Sequence, residues 1–474
     1  MFAGKWSLKV QWGRTTQWHR TMQRFRVIAT IMTFVLVSII VSLVHAGPFD
    51  LSLEEELEIG KMVRAKILST HVIHTKASAY LARIGRRLLS AGPWPQQFAH
   101  TYSFYVVEDP NNPELLNAFC APGGFICFYR ALFEDLLNNY GEDAVAAVLA
   151  HEIEHANNHH VARQVKRDRE RGLWAQLGAA ILTGILGGGE RTFEILSGLA
   201  DIYTNLQSLK YSRDLEDEAD ERGIVRLYRA GYNPKAMAEV FNYLKHRSGA
   251  KVPEYLSTHP PEEERIKRSE SRASILETWK LTQTLSEVSV VREGKKVWIQ
   301  CGWLHGLRKG MKLRIEGKTF KVGNVYFDRA EIDAKEKDLK DLPERTNAIV
   351  LDPPASDYAQ PVGVGTVTAV DENNQLVTID LGSWHLIKEG MVFLIYAWRF
   401  EEKVTYRGMS FTTIVPRVIA EAVVKEVREK ESVLKVEKFR TNIEKPGERF
   451  TFKDIQVGDE VRWRDWLMPK PIGK

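Results

Sequence analysis

The stretch AVLAHEIEHANNHHVARQ, residues 147–164, carries four histidines and two glutamates within positions 151–160. Val145, Val148, Leu149 and Ile153 recur at helical spacing and form an apolar stripe, which predicts a helix with one buried face. A surface helix has no need of so much imidazole and carboxylate, and a buried helix tolerates it only where the polar groups are bound. The stretch therefore predicts a helix whose histidine nitrogens bind a ligand.

His151, Glu152 and His155 form the pattern H-E-x-x-H. Residues i and i+4 of a helix lie on one face, so the two imidazoles can converge on one point. Neutral imidazole is a preferred zinc ligand, and a catalytic zinc site needs at least one more protein ligand. Glu152 lies near that point but is turned away from it, where it could take a proton from bound water. His159 and His160 are expected on the helix surface or behind the ligands.

The third ligand is expected to be an acid from another helix. The stretch YSRDLEDEADERGIVRLYRAGYNPKAM, residues 211–237, offers Glu216, Asp217, Glu218, Asp220 and Glu221. Glu216 and Asp220 are spaced i, i+4 and can face one site. Glu216 could ligate the metal while Asp220 orients a zinc-bound imidazole through its N–H. The alternative is an acidic solvated face, which the charge pattern alone favours.

Several motifs in a fixed order resemble one protein family. H-E-x-x-H is followed by S-R-x-x-E-x-x-A-D and then AGYNP, with NAF…PGGFI upstream and STHPPEEERI (257–266) at the end. This order resembles the zinc metallopeptidase family of the CAAX prenyl protease and the HtpX-type heat-shock proteases, a gluzincin family. The likeness covers roughly residues 48–275. The soluble periplasmic BepA-like branch is the most similar, because this chain has one hydrophobic segment.

The resemblance implies roles for individual residues. His151, His155 and Glu216 would hold one zinc ion per chain, with Glu152 as the general base. Asp220 matches an aspartate of the family motif that is sometimes assigned as proton donor. His259, in STHP, matches a position that can approach the metal, although a Thr-His-Pro turn could equally be structural.

A substrate-binding strand is predicted shortly before the zinc helix. The segment NAFCAPGGFICF begins with Asn117, Ala118 and Phe119 and is strand-like. Its exposed edge could pair with an extended substrate backbone, which gives cleavage with little side-chain selectivity. An ordinary internal hairpin is the alternative. Binding of this kind suits unfolded or misassembled chains, because only those can add an extended strand.

The 474 residues are too many for one ordinary core and predict an α+β multidomain protein. Helical patterns dominate a zincin-type metalloprotease domain over residues 47–280. From about Leu285, short alternating runs separated by Gly, Asn and Asp predict small antiparallel β-barrel modules, over 285–355 and 360–474.

An internal repeat links the two β modules. VWIQCGWLHGLRKGMKLRI (297–315) aligns without gaps with VTIDLGSWHLIKEGMVFLI (377–395), and DIQVGDEVRW near the C-terminus is a weaker third copy. His305 and His385 occupy equivalent positions, where a turn or packing role is expected. Neither copy carries a catalytic constellation.

The N-terminal residues 1–46 predict export. They contain six basic residues and no acid, followed from Val27 by the apolar run VIATIMTFVLVSIIVSL and a possible cleavage site after Ala46. A signal peptide and an uncleaved inner-membrane anchor remain alternatives, and both put the body in the periplasm or on an extracytoplasmic face. The rest of the chain is nearly charge-balanced, so no nucleic-acid partner is expected. Three cysteines do not suggest a disulfide framework.

The glycine-rich apolar stretch LWAQLGAAILTGILGGGERTFEILSGLADIY, residues 173–203, lies between the two metal motifs. A mobile cover over the cleft, a membrane-touching patch and a buried helical hairpin all fit its composition.

Two functions of different class remain. The favoured one is a zinc endopeptidase of the cell envelope that hydrolyses unfolded or misassembled envelope proteins, as in protein quality control. The alternative is an extracytoplasmic binding or chaperone-like protein with a structural metal site. Its β modules would then contact a membrane or an envelope protein. Because the BepA-like branch ends in helical repeats instead of strand modules, substrate delivery cannot be transferred to this chain.

Overall fold

The computed structural model describes residues 52–92, 102–168, 209–247, 253–278, 286–351, 360–406, 409–442 and 447–466. Apart from Ser52, they fall within one compact unit, Leu53–Lys474. The predicted signal or anchor and the stretch 173–203 lie outside the described residues. Among the helices that are described, none combines the length and the apolar character needed to cross a membrane.

Helices form most of the protease domain, as the sequence patterns predict. In the described ranges they are α1 Leu53–Thr70, α2 Thr75–Ser90, α3 Arg130–Tyr140, α4 Glu142–Asn157, α5 His160–Asp168, α6 Arg213–Arg229, α7 Ala236–Arg247, α8 Glu254–Thr258 and α9 Glu263–Thr278. Gly141 separates α3 from α4 with a φ of 78°, a conformation that favours glycine. Glu142 and Asp143 then place negative charge in the first turn of α4, where the helix dipole favours it.

Helix α4 is the central helix of the domain, and residues 144–156 are all buried. Residues 144–150 are all alanine, valine or leucine, so α6 and α7 can pack closely against it. Gly223 of α6 lies against α4, and a Cβ added there would be 3.4 Å from the backbone nitrogen of His151. Small residues on both helices thus bring the two predicted metal motifs together.

A four-stranded sheet packs beside these helices. Its strands are β1 Val72–Ile73, β2 Ser103–Glu108, β3 Ala118–Ala121 and β4 Phe125–Tyr129, in the order β1-β2-β4-β3. Strands β2 and β4 are parallel, and the other pairings are antiparallel. In the described residues β3 is therefore an edge strand, and it contacts α4.

Two closed six-stranded barrels follow. The first has the order β10-β5-β6-β9-β8-β7 and consists of β5 Glu287–Glu293, β6 Lys296–Ile299, β7 Lys312–Ile315, β8 Lys318–Val325, β9 Ala330–Asp333 and β10 Arg345–Val350, with the short helix α10 Glu336–Leu339. The second has the order β11-β12-β15-β14-β13-β16 and consists of β11 Val364–Asp371, β12 Leu376–Ile379, β13 Val392–Tyr406, β14 Met409–Val427, β15 Ser432–Phe439 and β16 Glu460–Trp463. The predicted fold class, a helical protease domain followed by antiparallel barrels, is confirmed.

Each copy of the internal repeat contains a short 3-10 helix that is followed by a strand. We call this 3-10 helix a corner. The corners are Trp303–His305, Ser383–His385 and Phe452–Asp454. In the first two, the histidine Nδ1 accepts a hydrogen bond from the glycine N–H three residues earlier, at 3.2 and 3.0 Å. In the third, Asp454 Oδ2 accepts from the Thr451 N–H at 2.6 Å. Each side chain caps its own turn.

Both barrels contact the protease helices, but in different ways. The core of the second barrel is continuous with that of the protease domain, whereas most of the first barrel has its own core. Arg86 of α2 donates to the buried Glu460 of the second barrel, with Nη2 2.6 Å from Oε2. Trp303 of the first barrel donates through Nε1 to Glu221 of α6. Both modules therefore dock on the helical domain.

Candidate metal centre

Four side chains converge in the interior of the protease domain. His151 and His155 come from α4, Glu216 from the first turn of α6, and His259 from the residue that follows α8. All four are buried, and each offers one ligand atom that lies within 4.8 Å of the other three. The fold thus unites the H-E-x-x-H motif with the acidic stretch predicted to face it.

The donor atoms lie close enough together to surround a single ion. His151 Nε2 lies 2.8 Å from His155 Nε2 and 3.2 Å from His259 Nδ1. Glu216 Oε1 lies 2.8 Å from His259 Nδ1 and 3.4 Å from His155 Nε2. A tetrahedral zinc ion with ligands at about 2.0–2.2 Å places its donors about 3.3–3.6 Å apart. Two of the four separations are about 0.5 Å shorter than this, so those donors would move apart slightly to take up zinc. Three imidazoles and one carboxylate are donors that zinc accepts.

The charges around the donors also suit a cation. Burial and the neighbouring His151 hold the pKa of the His155 imidazole well below its usual range. Burial opposes ionisation of Glu216, but His259 and Arg265 outweigh it and hold the pKa of this carboxyl well below its usual range. Neutral imidazole and ionised carboxylate are the forms that bind metal.

Asp220 lies behind the donors. Its Oδ1 is 2.9 Å from His151 Nδ1. Arg265 donates from Nε to Asp220 Oδ2 at 2.5 Å and from Nη2 to Oδ1 at 2.8 Å. Burial opposes ionisation of Asp220, but Arg265 and His151 together lower the pKa of this carboxyl. A carboxylate held in this way is suited to orienting an imidazole.

His259 both belongs to a turn and reaches the donor cluster. Its backbone N–H donates to the carbonyl of Tyr255 at 2.9 Å, which ends α8. The Tyr255 ring packs against the imidazole with a centroid distance of 4.7 Å. His259 Nδ1 faces Glu216, while Nε2 lies 3.5 Å from Glu152 Oε1. The two roles that the sequence left open are combined in one residue.

Glu152 lies beside the donors and is 1% exposed. It accepts a hydrogen bond from the backbone N–H of Cys120 in β3, and its Oε1 makes no hydrogen bond within the described part of the chain. Burial raises the pKa of this carboxyl, against the opposing effect of His259 and His151. A carboxyl with a raised pKa next to metal ligands suits proton transfer.

The other polar residues of the 147–164 stretch have partners of their own. Arg226 of α6 donates from Nε to Glu154 Oε1 at 2.6 Å in the core. His159 Nδ1 lies 3.0 Å from Glu56 Oε1 of α1. His160 is fully buried and does not belong to the donor cluster. The two adjacent histidines therefore differ, one facing α1 and the other the metal centre.

The predicted substrate strand starts at the edge of the sheet. Tyr129 donates its N–H to the carbonyl of Asn117 at 2.9 Å, so the backbone of Asn117 faces β4. Antiparallel pairs alternate, so Phe119, paired with Cys127, also faces β4, whereas Ala118 and Cys120 direct their backbone groups to the open edge. The Ala118 N–H donates to the Asn117 side chain at 2.9 Å. All four side chains of β3 are buried.

Sequence reasoning missed Arg265. Its Nη1 lies 2.7 Å from Glu216 Oε2 while its other nitrogens hold Asp220, and the guanidinium sits 4.2 Å from the centre of the Phe241 ring. A buried acidic cluster needs a buried cation, and this arginine ends the acidic run of the STHPPEEERI motif. The position of Arg265 directly after that acidic run is the sequence feature that could have identified it.

Comparison with known proteins gives this geometry a family. Residues 75–273 match the model of peptidase family M48. The range includes all four donors and Glu152, and it ends before the barrels.

Individual relatives also match part of the chain. A protein of Vibrio cholerae serotype O1 named putative beta-barrel assembly-enhancing protease is 31% identical over 198 residues, 41% of this chain and 38% of that protein. The beta-barrel assembly-enhancing protease of Escherichia coli K12 is 30% identical over 244 residues, 47% of this chain and 45% of that protein. The mitochondrial metalloendopeptidase OMA1 of Schizosaccharomyces pombe is 27% identical over 257 residues, 50% of this chain and 70% of that protein.

The chain thus spans less than half the length of the two bacterial relatives. The matches support a metallopeptidase class for this domain, because the family is a peptidase family and the fungal relative is named a metalloendopeptidase. The predicted resemblance to a zinc metallopeptidase family is confirmed: residues 75–273 of this chain match peptidase family M48.

Proposed function

We propose that this protein is a zinc-dependent endopeptidase of the cell envelope that hydrolyses unfolded or misassembled proteins. The carrying observation is the convergence of His151, His155, Glu216 and His259, with Glu152 buried beside them. The names of the bacterial relatives support an envelope role, and the basic leader with its apolar run supports export to the periplasm, by a cleaved signal or as an inner-membrane anchor.

In this proposal, His151, His155 and Glu216 hold one zinc ion. Zinc bound there would act as a Lewis acid toward water and the peptide carbonyl. Glu152 takes the proton of the attacking water and returns it to the leaving amine. The buried position and raised pKa of Glu152 support this role.

Asp220 and His259 lie near Glu152 and have different roles. Asp220 stays ionised under Arg265 and orients the His151 ring, so it is a positioning residue and not a proton donor. His259, with Nε2 3.5 Å from Glu152 Oε1, can assist proton transfer once substrate is bound.

The substrate is proposed to lie along β3 as an added strand. Of the predicted residues Asn117, Ala118 and Phe119, Ala118 directs its backbone outward, because Asn117 and Phe119 face β4. Cys120, which was not predicted, also faces outward. The outward N–H groups of Ala118 and Cys120 already donate to Asn117 and Glu152, so a peptide would pair with the outward carbonyls, next to the base. Main-chain pairing of this kind selects extended chains but discriminates little between their amino-acid sequences.

One observation favours the alternative function. Four protein donors complete a tetrahedral set, which is typical of structural zinc sites, whereas catalytic sites have three protein ligands and a water. In that case the protein is a binding or chaperone-like protein that acts through its barrels on a membrane or an envelope protein. The buried Glu152 argues against it, because a structural site has no use for a base.

The deciding experiment is digestion of denatured casein by the purified full chain, with and without a chelator. We expect chelator-sensitive cleavage that Glu152→Gln lowers about 10²–10⁴-fold while zinc content is unchanged. Glu134→Gln makes the same change on an exposed part of α3 and should cleave like wild type. Full activity of Glu152→Gln would refute the mechanism, and a wild-type protein that cleaves no unfolded protein would favour the binding function.

A further inference from the structure

The two candidate histidine ligands of α4, His151 and His155, have different partners at the ring nitrogen that faces away from the donor cluster. Their Nε2 atoms face each other at 2.8 Å inside the donor cluster, so Nδ1 of each ring points away from it. His151 Nδ1 meets the carboxylate of Asp220, as the acidic stretch predicted. His155 Nδ1 instead lies 2.9 Å from Nδ1 of another imidazole, that of His160.

A break in the helix makes this contact. Five residues along a continuous helix correspond to a rotation of about 140°, which would turn His160 away from His155. The chain leaves the helix after Asn157, and His159 has a φ of 53° in the left-handed region. Helix α5 then starts at His160 and carries that ring, fully buried, back against His155.

Two imidazole Nδ1 atoms at this distance form a hydrogen bond only if one carries a proton and the other does not. A metal on His155 Nε2 leaves the proton on its Nδ1, so His160 Nδ1 must accept. The proton of His160 is then on Nε2, which faces Glu218 Oε2 at 3.5 Å. Arg163 in turn donates from Nη1 to Glu218 Oε2 at 2.8 Å.

We propose that His160 and Glu218 form a positioning pair that fixes the ring orientation and tautomer of His155 for zinc. The pair does for His155 what Asp220 does for His151, with an imidazole inserted between ligand and carboxylate. It rests on zinc binding as proposed above. Partners of this kind hold a ligand in its binding geometry before the ion arrives.

The test is zinc affinity, measured on the purified full chain by competition with a chromophoric chelator. His160→Leu removes the acceptor, and we expect the affinity to fall about 10–100-fold. His160→Asn keeps an acceptor near the position of Nδ1 and should recover most of that loss. Glu218→Gln should give a smaller loss than His160→Leu, because the acceptor on His160 remains.

His159→Asn is the matched control. It changes the adjacent histidine, whose Nδ1 contacts Glu56 of α1, and asparagine tolerates the left-handed backbone at this position. Its zinc affinity should stay within about twofold of wild type, well inside the tenfold loss that marks an outer partner.

Melting temperatures in excess chelator separate positioning from packing. A core-filling role for His160 predicts that Leu lowers the apo-protein melting temperature and leaves the affinity unchanged. Unchanged affinity in His160→Leu, or equal losses in His160→Leu and His160→Asn, would overturn the proposal. A wild-type chain that binds no zinc in the same titration would refute the proposed function itself, and the pair with it.

Discussion

In the described residues, buried histidines lie in two regions, the metal centre and the corner of the second barrel, and what surrounds them differs. At the metal centre, His151 and His259 face the carboxylates of Asp220, Glu216 and Glu152. In the second barrel, His385 faces cations, and burial together with Arg87, Arg229 and Lys430 lowers its pKa to about 3. Its Nδ1 accepts from the Gly382 backbone.

The difference shows that a buried histidine at a motif position does not by itself indicate a metal site. His385 recurs in the repeat, is 3% exposed and has a shifted pKa, yet its surroundings repel a cation. The metal-centre histidines are also buried at motif positions, but they lie among acids. The sign of the neighbouring charge distinguishes a ligand from a turn cap.

Exchange of a donor should give the largest effect. We expect Glu216→Gln to lower zinc affinity by more than the 10–100-fold typical of an outer partner, because it removes a ligand. His385→Asn, the corresponding change in a barrel corner, should leave zinc affinity at the wild-type value. Chelator competition measures both, and an equal loss in the two variants would end the distinction between the regions.

The second barrel also contains buried charge, and its role should be stability. Glu460 is 0% exposed and holds Arg86 and Arg462. Glu460→Gln leaves these cations without their partner, so we expect the free energy of unfolding to fall by about 3–5 kcal/mol. Urea unfolding measures it.

An exposed pair of the same barrel serves as the control for Glu460. Glu437 pairs with Lys425 at 3.5 Å, with both side chains about half exposed. Glu437→Gln should cost about 0–1 kcal/mol. A loss for Glu460→Gln as small as this would mean that the interface with α2 does not depend on the buried pair.

The smallest effect is expected from pH. The pKa of His385 is about 3 in the folded protein and about 6.5 in the unfolded chain, so below pH 6.5 the unfolded chain takes up a proton that the folded one refuses. The contribution of neutral His385 to the free energy of unfolding is complete above pH 6.5. It decreases by up to about 1.4 kcal/mol per pH unit as the pH falls toward 3.

Comparing wild type with His385→Asn isolates this term, since asparagine can still accept from the Gly382 N–H. The difference in unfolding free energy between pH 7 and pH 5 should be about 2 kcal/mol smaller in the variant. Identical pH profiles would show that His385 does not titrate in this way.

Local patterns predicted a large part of this structure. H-E-x-x-H and its helix follow from i, i+4 geometry, and the two barrels and their corners follow from alternation and an 80-residue repeat. Glu216 and Asp220 were predicted to face the site, because helical spacing places both on one face. These features depend on residues close together in the chain.

Features that depend on distant packing were not predictable. Arg265 reaches Glu216 and Asp220 only because α9 packs on α6. The sequence could not separate His159 from His160, because a single left-handed residue decides which ring turns inward. The outward-facing groups of β3 depend on its register with β4, which no local pattern fixes.

The zinc content of the purified full chain, measured by atomic emission beside that of His155→Ala and Glu216→Ala, tests the central claim most directly. The converging donors predict close to one zinc per wild-type chain and almost none in either variant, with both variants still folded by circular dichroism. Zinc retained at the wild-type level in both folded variants would contradict the assignment of the metal centre.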